Sequence, residues 1–400
     1  MFRNQKQNYI FIGRLEEEKW FHLILSAWKY LQLNHPEVYE NITLSVFWTW
    51  KLSEQIPTDN TWKLISAIQS IQEWFDFQRN CYFGYRDKAD IQLFMDEYIQ
   101  YSLVPSLFLE TFWLVALESL SRWIPVIGYK KGGLTPFIID EKYQISDSEG
   151  FMGIVRIILS LSGRETFVDK NRVIATTKQF TYDSWKDSLK NLIPQDVQKI
   201  FLMSDYIWRI GWTEIYVDML GKTLLSLGYE VETLWYRIQN DNKWLRRIFL
   251  VLTVANIWSY YMVRKSIRNF QPDLVWCHSI ARFHGIFGLL PMRNSKYKYI
   301  TYHDLGLFTP YPSMIQQISD IPKKPTLLNW ISINSISSFF RVSLYSTFLK
   351  YIQSRILLII LRKFTKHLVP SDFLVDIIQE QGNIPHKNIE VFKHCICPKL

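Results

Sequence analysis

Two carboxylates separated by seven residues, Glu110 and Glu118, lie in the segment Pro105-Ser106-Leu107-Phe108-Leu109-Glu110-Thr111-Phe112-Trp113-Leu114-Val115-Ala116-Leu117-Glu118, which runs on to Gly132-Gly133-Leu134. A carboxylate accepts hydrogen bonds and donates none, so its fitting partners are hydroxyls such as those of a sugar or a ribose. A helix starting near Trp113 offers free backbone N–H groups and a positive dipole end, which suit a diphosphate. Hydroxyls and diphosphate together describe an activated sugar. The apolar run Tyr101 to Val104 predicts a buried parallel strand and Leu114 to Ser121 the next helix, so Glu110 falls in the loop at the strand's carboxyl end. Open α/β sheets bind ligands at that end.

A second cluster stands upstream. Phe11-Ile12-Gly13-Arg14-Leu15-Glu16-Glu17-Glu18-Lys19, followed by Phe21 to Trp28, reads as a strand end, a charged loop and a helix. Arginine offers a planar fork to phosphate oxygens and lysine a compact charge. Arg14 and Lys19, with helix dipoles, are a metal-free means of holding a diphosphate and stabilising it as a leaving group. Taken alone, Arg14, Glu16 to Glu18 and Lys19 also read as the solvated start of a helix. Glu110 and Glu118 as the acid and base of a hydrolase would have to face each other across a glycosidic bond. The helix start between them points to binding roles instead.

Together these segments resemble the donor-binding signature of family 4 glycosyltransferases, retaining GT-B enzymes whose motif is Glu, seven residues, Glu. The resemblance implies that Arg14 and Lys19 neutralise the diphosphate, Glu110 holds the transferred sugar and Glu118 holds the ribose. It extends the donor-binding set to Gly13, Thr111, Phe112, Trp113 and Leu114, and, from the second half, to Gly211 and Trp212 in a segment resembling the family's first loop. It assigns catalytic work to Arg14, Lys19, Glu110 and His303, the last as an acceptor-side group beside Asp304. It implies no cofactor and no metal, a nucleotide-diphosphate sugar as co-substrate, and a glycan or lipid-linked acceptor. Transfer would retain configuration by front-side attack, the leaving diphosphate assisting deprotonation of the acceptor. His303 and His278-Ser279 also read as structural.

Strands and helices alternate throughout, which specifies parallel sheets covered by helices. Strands are predicted near 9–13, 42–47, 81–84, 101–104 and 125–128, and again near 199–203, 231–234, 274–277, 299–302, 366–369 and 389–392. The fold expected is two Rossmann-like α/β domains, a donor domain over 1–195 and an acceptor-side domain over 198–400, with the boundary at Asn191 to Gln198. Thr176 to Ile193, with Phe180, Trp185 and Leu189 on one face, resembles the closing helices of the donor domain. The resemblance makes the order of the halves permuted, by circular permutation or by two neighbouring genes read in one frame. Rival readings are an inactive or binding-only fusion, or a sugar-nucleotide epimerase of the same architecture. A dehydrogenase is disfavoured, since no Gly-x-Gly-x-x-Gly follows any strand.

Charge divides unevenly. Residues 198–400 hold 25 Lys and Arg against 13 Asp and Glu, a balance of +12, leaving −3 for residues 1–197 of the total +9. That basic half suits a phosphorylated lipid carrier, an anionic membrane or an acidic glycan, or is simply solvated. Nucleic acid is disfavoured, because no recognition motif accompanies the charge. No targeting segment or uncharged span of eighteen apolar residues appears, so a cytoplasmic protein is expected, with peripheral membrane contact through the second half. The apolar run Ile248 to Met262, flanked by Arg246, Arg247, Arg264, Lys265 and Arg268, reads as a core helix or as one resting on a bilayer surface; Phe339 to Leu361 reads as core or peripheral helix. Cys81, Cys277, Cys395 and Cys397 show no metal spacing and are expected as reduced thiols.

Sixteen Trp is a high count and fifteen Gly a low one, against roughly 28 Gly expected from average usage. Trp20, Trp48, Trp50, Trp113, Trp123 and Trp212 stand where the family carries glycine, whereas Trp28 and Trp185 suit a buried helix face. Glycine serves where backbone approaches a ligand or takes positive φ, and an indole would clash there. Decoding UGA as Trp instead of Gly accounts for the pattern; an aromatic-rich carbohydrate surface is the alternative. The coding sequence is expected to carry UGA at Trp20, Trp113 and Trp212, and UGG at all three would end the decoding explanation.

Overall fold

In the computed structural model, the described residues are 6–13, 21–48, 81–86, 88–109, 111–164, 168–206, 212–237, 256–281, 283–309, 315, 317, 320–321, 325–336 and 344–395. The chain forms two compact units, Met1–Gln179 and Phe180–Leu400.

The first unit is a parallel sheet of β1 (Gln7–Ile12), β2 (Ile42–Trp48), β3 (Cys81–Tyr85), β4 (Tyr101–Val104), β5 (Val126–Tyr129) and β6 (Gln144–Ile145), in the order β3-β2-β1-β4-β5-β6. Its helices include α1 (Phe21–Asn34), α2 (Lys88–Tyr98), α3 (Leu114–Leu120), α4 (Phe151–Leu161) and α5 (Lys170–Lys178). β1 is apolar on both faces because helices cover both. Tyr9 stacks on Tyr101 at 5.0 Å and meets Trp28 of α1 edge-on at 5.6 Å, while Phe11 lies 4.8 Å from Phe21. On the opposite face Ile10 and Ile12 share a core with Ile91 and Met95 of α2. α1 buries Phe21, Ile24, Trp28 and Leu31, the three-and-four spacing of one helical face. Each such side chain contributes about 1.5–3 kcal/mol.

The second unit is a parallel sheet of β7 (Lys199–Tyr206), β8 (Glu230–Arg237), β9 (Leu274–His278), β10 (Tyr297–Thr301), β11 (Lys366–Val369) and β12 (Ile389–Val391), in the order β12-β11-β10-β9-β7-β8. Its helices include α6 (Tyr182–Leu192), α7 (Trp212–Ser226), α8 (Ile257–Phe270), α9 (Gly285–Leu289), α10 (Leu327–Ile336), α11 (Leu344–Leu361) and α12 (Phe373–Gly382). The fold is therefore two Rossmann-like α/β units, as the alternation of elements predicts. β6 lies outside the predicted strands, since two residues carry no readable period.

Three local expectations change. Phe180 does not share a helix face with Trp185 and Leu189: α5 ends at Lys178, and Thr181 caps α6 by accepting a hydrogen bond from the Ser184 N–H. α6 also belongs with the second sheet, because Trp185, Leu189 and Leu192 share a core with Ile200, Leu202, Tyr216 and Leu220. The division accordingly falls at 179–180, before α6, rather than within 191–198. Finally, the described part of the run Ile248 to Met262 is a helix from Ile257 with a buried side, Ser259 and Val263, and an exposed one, Ile257, Trp258 and Tyr261. Residues 248–255 lie outside the described residues.

The end of α3 bears on the tryptophan surplus. The Ile124 N–H reaches the Ser119 carbonyl at 3.0 Å and the Trp123 N–H reaches the Leu120 carbonyl at 2.9 Å, the paired bonds that close a helix around a left-handed residue. That residue is Trp123, at φ 63° and 45% exposed. Trp113 differs, with φ −116°, an extended value open to any residue, and a buried indole. The clash expected of an indole there does not arise, because the ring turns inward toward Phe108. Only the backbones of Trp48 and Trp212 are described, and Trp20 and Trp50 lie outside the described residues. A left-handed L-residue costs about 1–2 kcal/mol. Trp123→Gly is therefore expected to raise the unfolding free energy by about 1 kcal/mol in urea denaturation; a lowered midpoint would count against a glycine position.

Candidate functional site

In the first unit, growth of the sheet reverses between β1 and β4, which pair directly. The loops leaving their carboxyl ends therefore emerge side by side. Gly13 closes β1, its N–H bonding the Phe47 carbonyl at 3.2 Å. Arg14, Lys19 and Glu110 lie outside the described residues, and so does Gly211. What is fixed is the framework that carries the first three: Ile12 and Gly13 on one side, Leu109 and Thr111 on the other.

Backbone packing holds the second of these loops. A Cβ on Gly133 would lie 2.5 Å from the Thr111 carbonyl oxygen and 2.8 Å from the Phe112 nitrogen. Only glycine lets the Gly132-Gly133 turn rest against the Thr111–Phe112 backbone. Phe112 meets Phe137 edge-on at 5.8 Å, and Thr111 and Phe112 are half-buried. Trp113 is the residue before the first turn of α3, which opens at Leu114, and the Leu117 N–H bonds its carbonyl at 3.1 Å. Trp113 carries no side-chain oxygen to cap that turn.

Glu118 lies one turn into α3 with 14% of its side chain exposed, and its Oε1 is 2.5 Å from Lys88 Nζ at the start of α2. With Lys88 half-exposed, the pair contributes at most about 1 kcal/mol to stability, but it points the carboxylate toward the α2 end of the sheet. Its remaining lone pairs can accept further hydrogen bonds. Lys88 is missed by sequence reasoning, since nothing in its neighbourhood marks it as the partner of a glutamate on another crossover. Lys131, just before the Gly-Gly turn, is buried against Asp147 at 3.0 Å.

In the second unit, growth reverses between β7 and β9. Three imidazoles collect near the strands' carboxyl ends. His278 Nδ1 lies 3.1 Å from His303 Nε2, and the His303 and His394 rings stack at 5.4 Å, 10° from parallel. The Tyr216 ring of α7 lies 5.4 Å from His303 and 4.4 Å from His394. Burial pushes the His303 pKa down to about 3, and burial with neighbouring imidazoles holds His278 and His394 well below the usual histidine range. These are neutral hydrogen-bonding rings at ordinary pH, and in the His278–His303 bond one nitrogen donates and the other accepts. The sequence singles out His278 and His303; His394 and Tyr216 join only through the fold. Beside them, the buried Asp205 at the end of β7 accepts from the Phe283 and His284 N–H groups at 3.0 and 2.8 Å. Ser259 Oγ and His284 Nδ1 are 2.9 Å apart. Asn256 caps α8 through Ser259 N–H and donates to the Phe283 carbonyl. Among the described residues, no group of three or more His, Cys, Asp or Glu is arranged to hold a metal.

No family model and no curated protein matches this chain. Among solved structures it is similar to the C-terminal domain of a glycosyl transferase group 1 family protein (LpcC) from Francisella tularensis, at 17% identity and a TM-score of 0.32, over 42% of this chain and 79% of that one. It is also similar to a UDP-forming α,α-trehalose-phosphate synthase from Burkholderia xenovorans, at 13% identity and a TM-score of 0.33, over 43% of this chain and 38% of that one. The lipopolysaccharide outer core galactosyltransferase WaaB aligns at 16% identity and a TM-score of 0.33, over 47% of this chain and 49% of that one. The chain thus spans less than half the length of the synthase and of WaaB. No function passes to this chain from such likenesses.

The buried imidazoles make stability depend on pH. Their folded pKa values lie below the ordinary value near 6.5, so the unfolded chain binds more protons between about pH 3 and 6.5. Their contribution is complete above pH 6.5 and is lost as pH falls. The urea midpoint is expected to drop between pH 7 and pH 5, above the range where most carboxylates titrate; a flat midpoint would contradict the buried neutral rings.

Proposed function

We propose that this chain is a retaining glycosyltransferase of the family 4 type, moving a sugar from a nucleotide-diphosphate sugar to a glycan or lipid-linked acceptor, with the donor on the first unit and the acceptor on the second. The observation that carries the reading is the pairing of β1 with β4 at the reversal of the first sheet. It sets the carboxyl ends of β1 and β4 side by side, with Gly13 after the first, Thr111–Trp113 after the second and Glu118 on the following helix. On this reading Arg14, Lys19 and Glu110, which lie outside the described residues, join Glu118 and the Gly132-Gly133 turn at that end of the sheet. Arg14 and Lys19 would take the diphosphate, Glu110 the hydroxyls of the transferred sugar and Glu118 the ribose, its direction set by Lys88. No metal is required, because two fixed cations can balance the charge that develops on the leaving diphosphate. His303, held neutral, is the acceptor-side group of this reading, polarising a hydroxyl through a hydrogen bond rather than as an imidazolium.

Isothermal titration with a panel of UDP-, GDP- and ADP-sugars tests the donor half. One of them is expected to bind, and Glu118→Ala to weaken that binding about 10- to 100-fold through loss of charge-assisted hydrogen bonds. If no nucleotide sugar binds, or if binding is indifferent to Glu118→Ala and to the pair Arg14→Ala and Lys19→Ala, the assignment fails. Isomerised donor without acceptor would instead identify an epimerase.

A further inference from the structure

Helix α8 of the second unit carries a two-part surface. Its buried side is set by Ser259 and Val263, with Asn256 buried at its cap. The opposite arc holds Ile257, Trp258, Tyr261, Arg264, Lys265 and Arg268, all exposed. At 100° per residue these six fall within about 120° of the helix circumference. The apolar members occupy the first turns, with Ile257 59%, Trp258 64% and Tyr261 60% exposed. The cations occupy the following turns, beside a surface cavity of about 440 Å³ that Tyr261, Arg264, Lys265 and Arg268 line with Asn269.

None of these cations is neutralised within the described residues. Arg264 bonds the Tyr260 hydroxyl at 3.1 Å and lies over its ring, and among the described residues neither Lys265 nor Arg268 makes an ion pair. α8 itself contains no Asp or Glu. Leu290, in the short turn packed beside α8, is exposed as well. Solvent-exposed Trp, Tyr and Ile next to unpaired cations is the composition that settles at the boundary of a bilayer, where indole and phenol rings sit at headgroup depth and Arg and Lys meet lipid phosphates. A nucleic acid would use the cations and a stacking ring but would leave Ile257 and Leu290 in water.

We infer that α8 is a docking face for an anionic membrane surface, seated through Ile257, Trp258 and Tyr261 and held by Arg264, Lys265 and Arg268. The occupant follows from charge complementarity: a cationic row with no carboxylate partner among the described residues, within a half of the chain carrying +12, beside apolar side chains that an anionic lipid surface would bury together with it. The face is independent of the donor site, so it holds whether or not the chain transfers sugar.

Co-sedimentation of the full chain with vesicles, in the absence of any nucleotide sugar, tests it. Binding is expected to vesicles of phosphatidylcholine containing phosphatidylglycerol, to be much weaker to phosphatidylcholine alone, and to fall when salt is raised from 50 to 500 mM. Arg264→Gln, Lys265→Gln and Arg268→Gln together are expected to weaken it about fivefold per charge, on the order of 100-fold in all. Ile257→Ser with Trp258→Ser should weaken it at least tenfold with the cations intact. All five positions are exposed, and circular dichroism verifies that the variants stay folded. The proposal is overturned if the chain ignores anionic vesicles, or if binding survives both sets of substitutions. It is equally overturned if the Ser variants bind vesicles as the parent does while a single-stranded oligonucleotide competes the vesicles away, which would assign the cations to nucleic acid.

Discussion

A parallel sheet grows by right-handed crossovers, and it can extend past both edges only by returning once to its middle. Everything proposed about the first unit depends on that return. The chain lays down β1, β2 and β3 outward, then comes back to place β4 against the free side of β1. Crossovers on the two sides of the return cover opposite faces of the sheet, so the two loops that leave it diverge and a crevice opens between them. Gly13, at the end of β1, and the Thr111–Trp113 loop border that crevice. The Gly133 contact, with no room for a Cβ, then sets how closely that loop can sit.

The second unit makes the same return between β7 and β9 and furnishes it differently. Its polar groups are withdrawn from solvent: Asp205 and His278 are buried, and burial keeps His278 and His303 neutral. Asp205 spends its acceptors on two backbone N–H groups of the 283–284 turn and so ties the end of β7 to the chain that follows β9. By contrast the cations of α8, Arg264, Lys265 and Arg268, are exposed.

Much of this architecture was legible in the residues. The apolar runs that become β1, β4, β7 and β9 are buried on both faces, so they stand out as unbroken stretches such as Tyr9–Ile12 and Leu274–Cys277. The helix start near Leu114 follows from local chemistry, and Gly228 takes φ 93° as a helix-ending glycine does. Local patterning does not say which sheet an amphipathic helix will cover, and α6 illustrates this. Trp185 and Leu189 are read as a buried face, but their partners Ile200 and Tyr216 are found only in the folded core. Lys88 beside Glu118 and His394 beside His303 have the same origin. Each is a pairing across crossovers, set by topology and not by spacing. The run that holds Ile257 and Trp258 reads equally as a core helix or as a surface one, and their exposure appears only in the fold.

The core of the second unit has one further consequence. Trp185 and Val197, which precede its first strand, pack in the same cluster as Phe392 and Cys395, which follow its last, and the Lys393 ammonium lies 5.7 Å from the centre of the Phe180 ring. Entry and exit of this unit are therefore neighbours in space. A unit whose two flanks lie together can be opened elsewhere and rejoined there by a short bridge, at a cost in closure entropy that grows only with the logarithm of the bridge's length. Rearrangement of gene order would then leave the interior of such a module intact, so the sequence in which the two halves are strung is a matter of ancestry more than of folding.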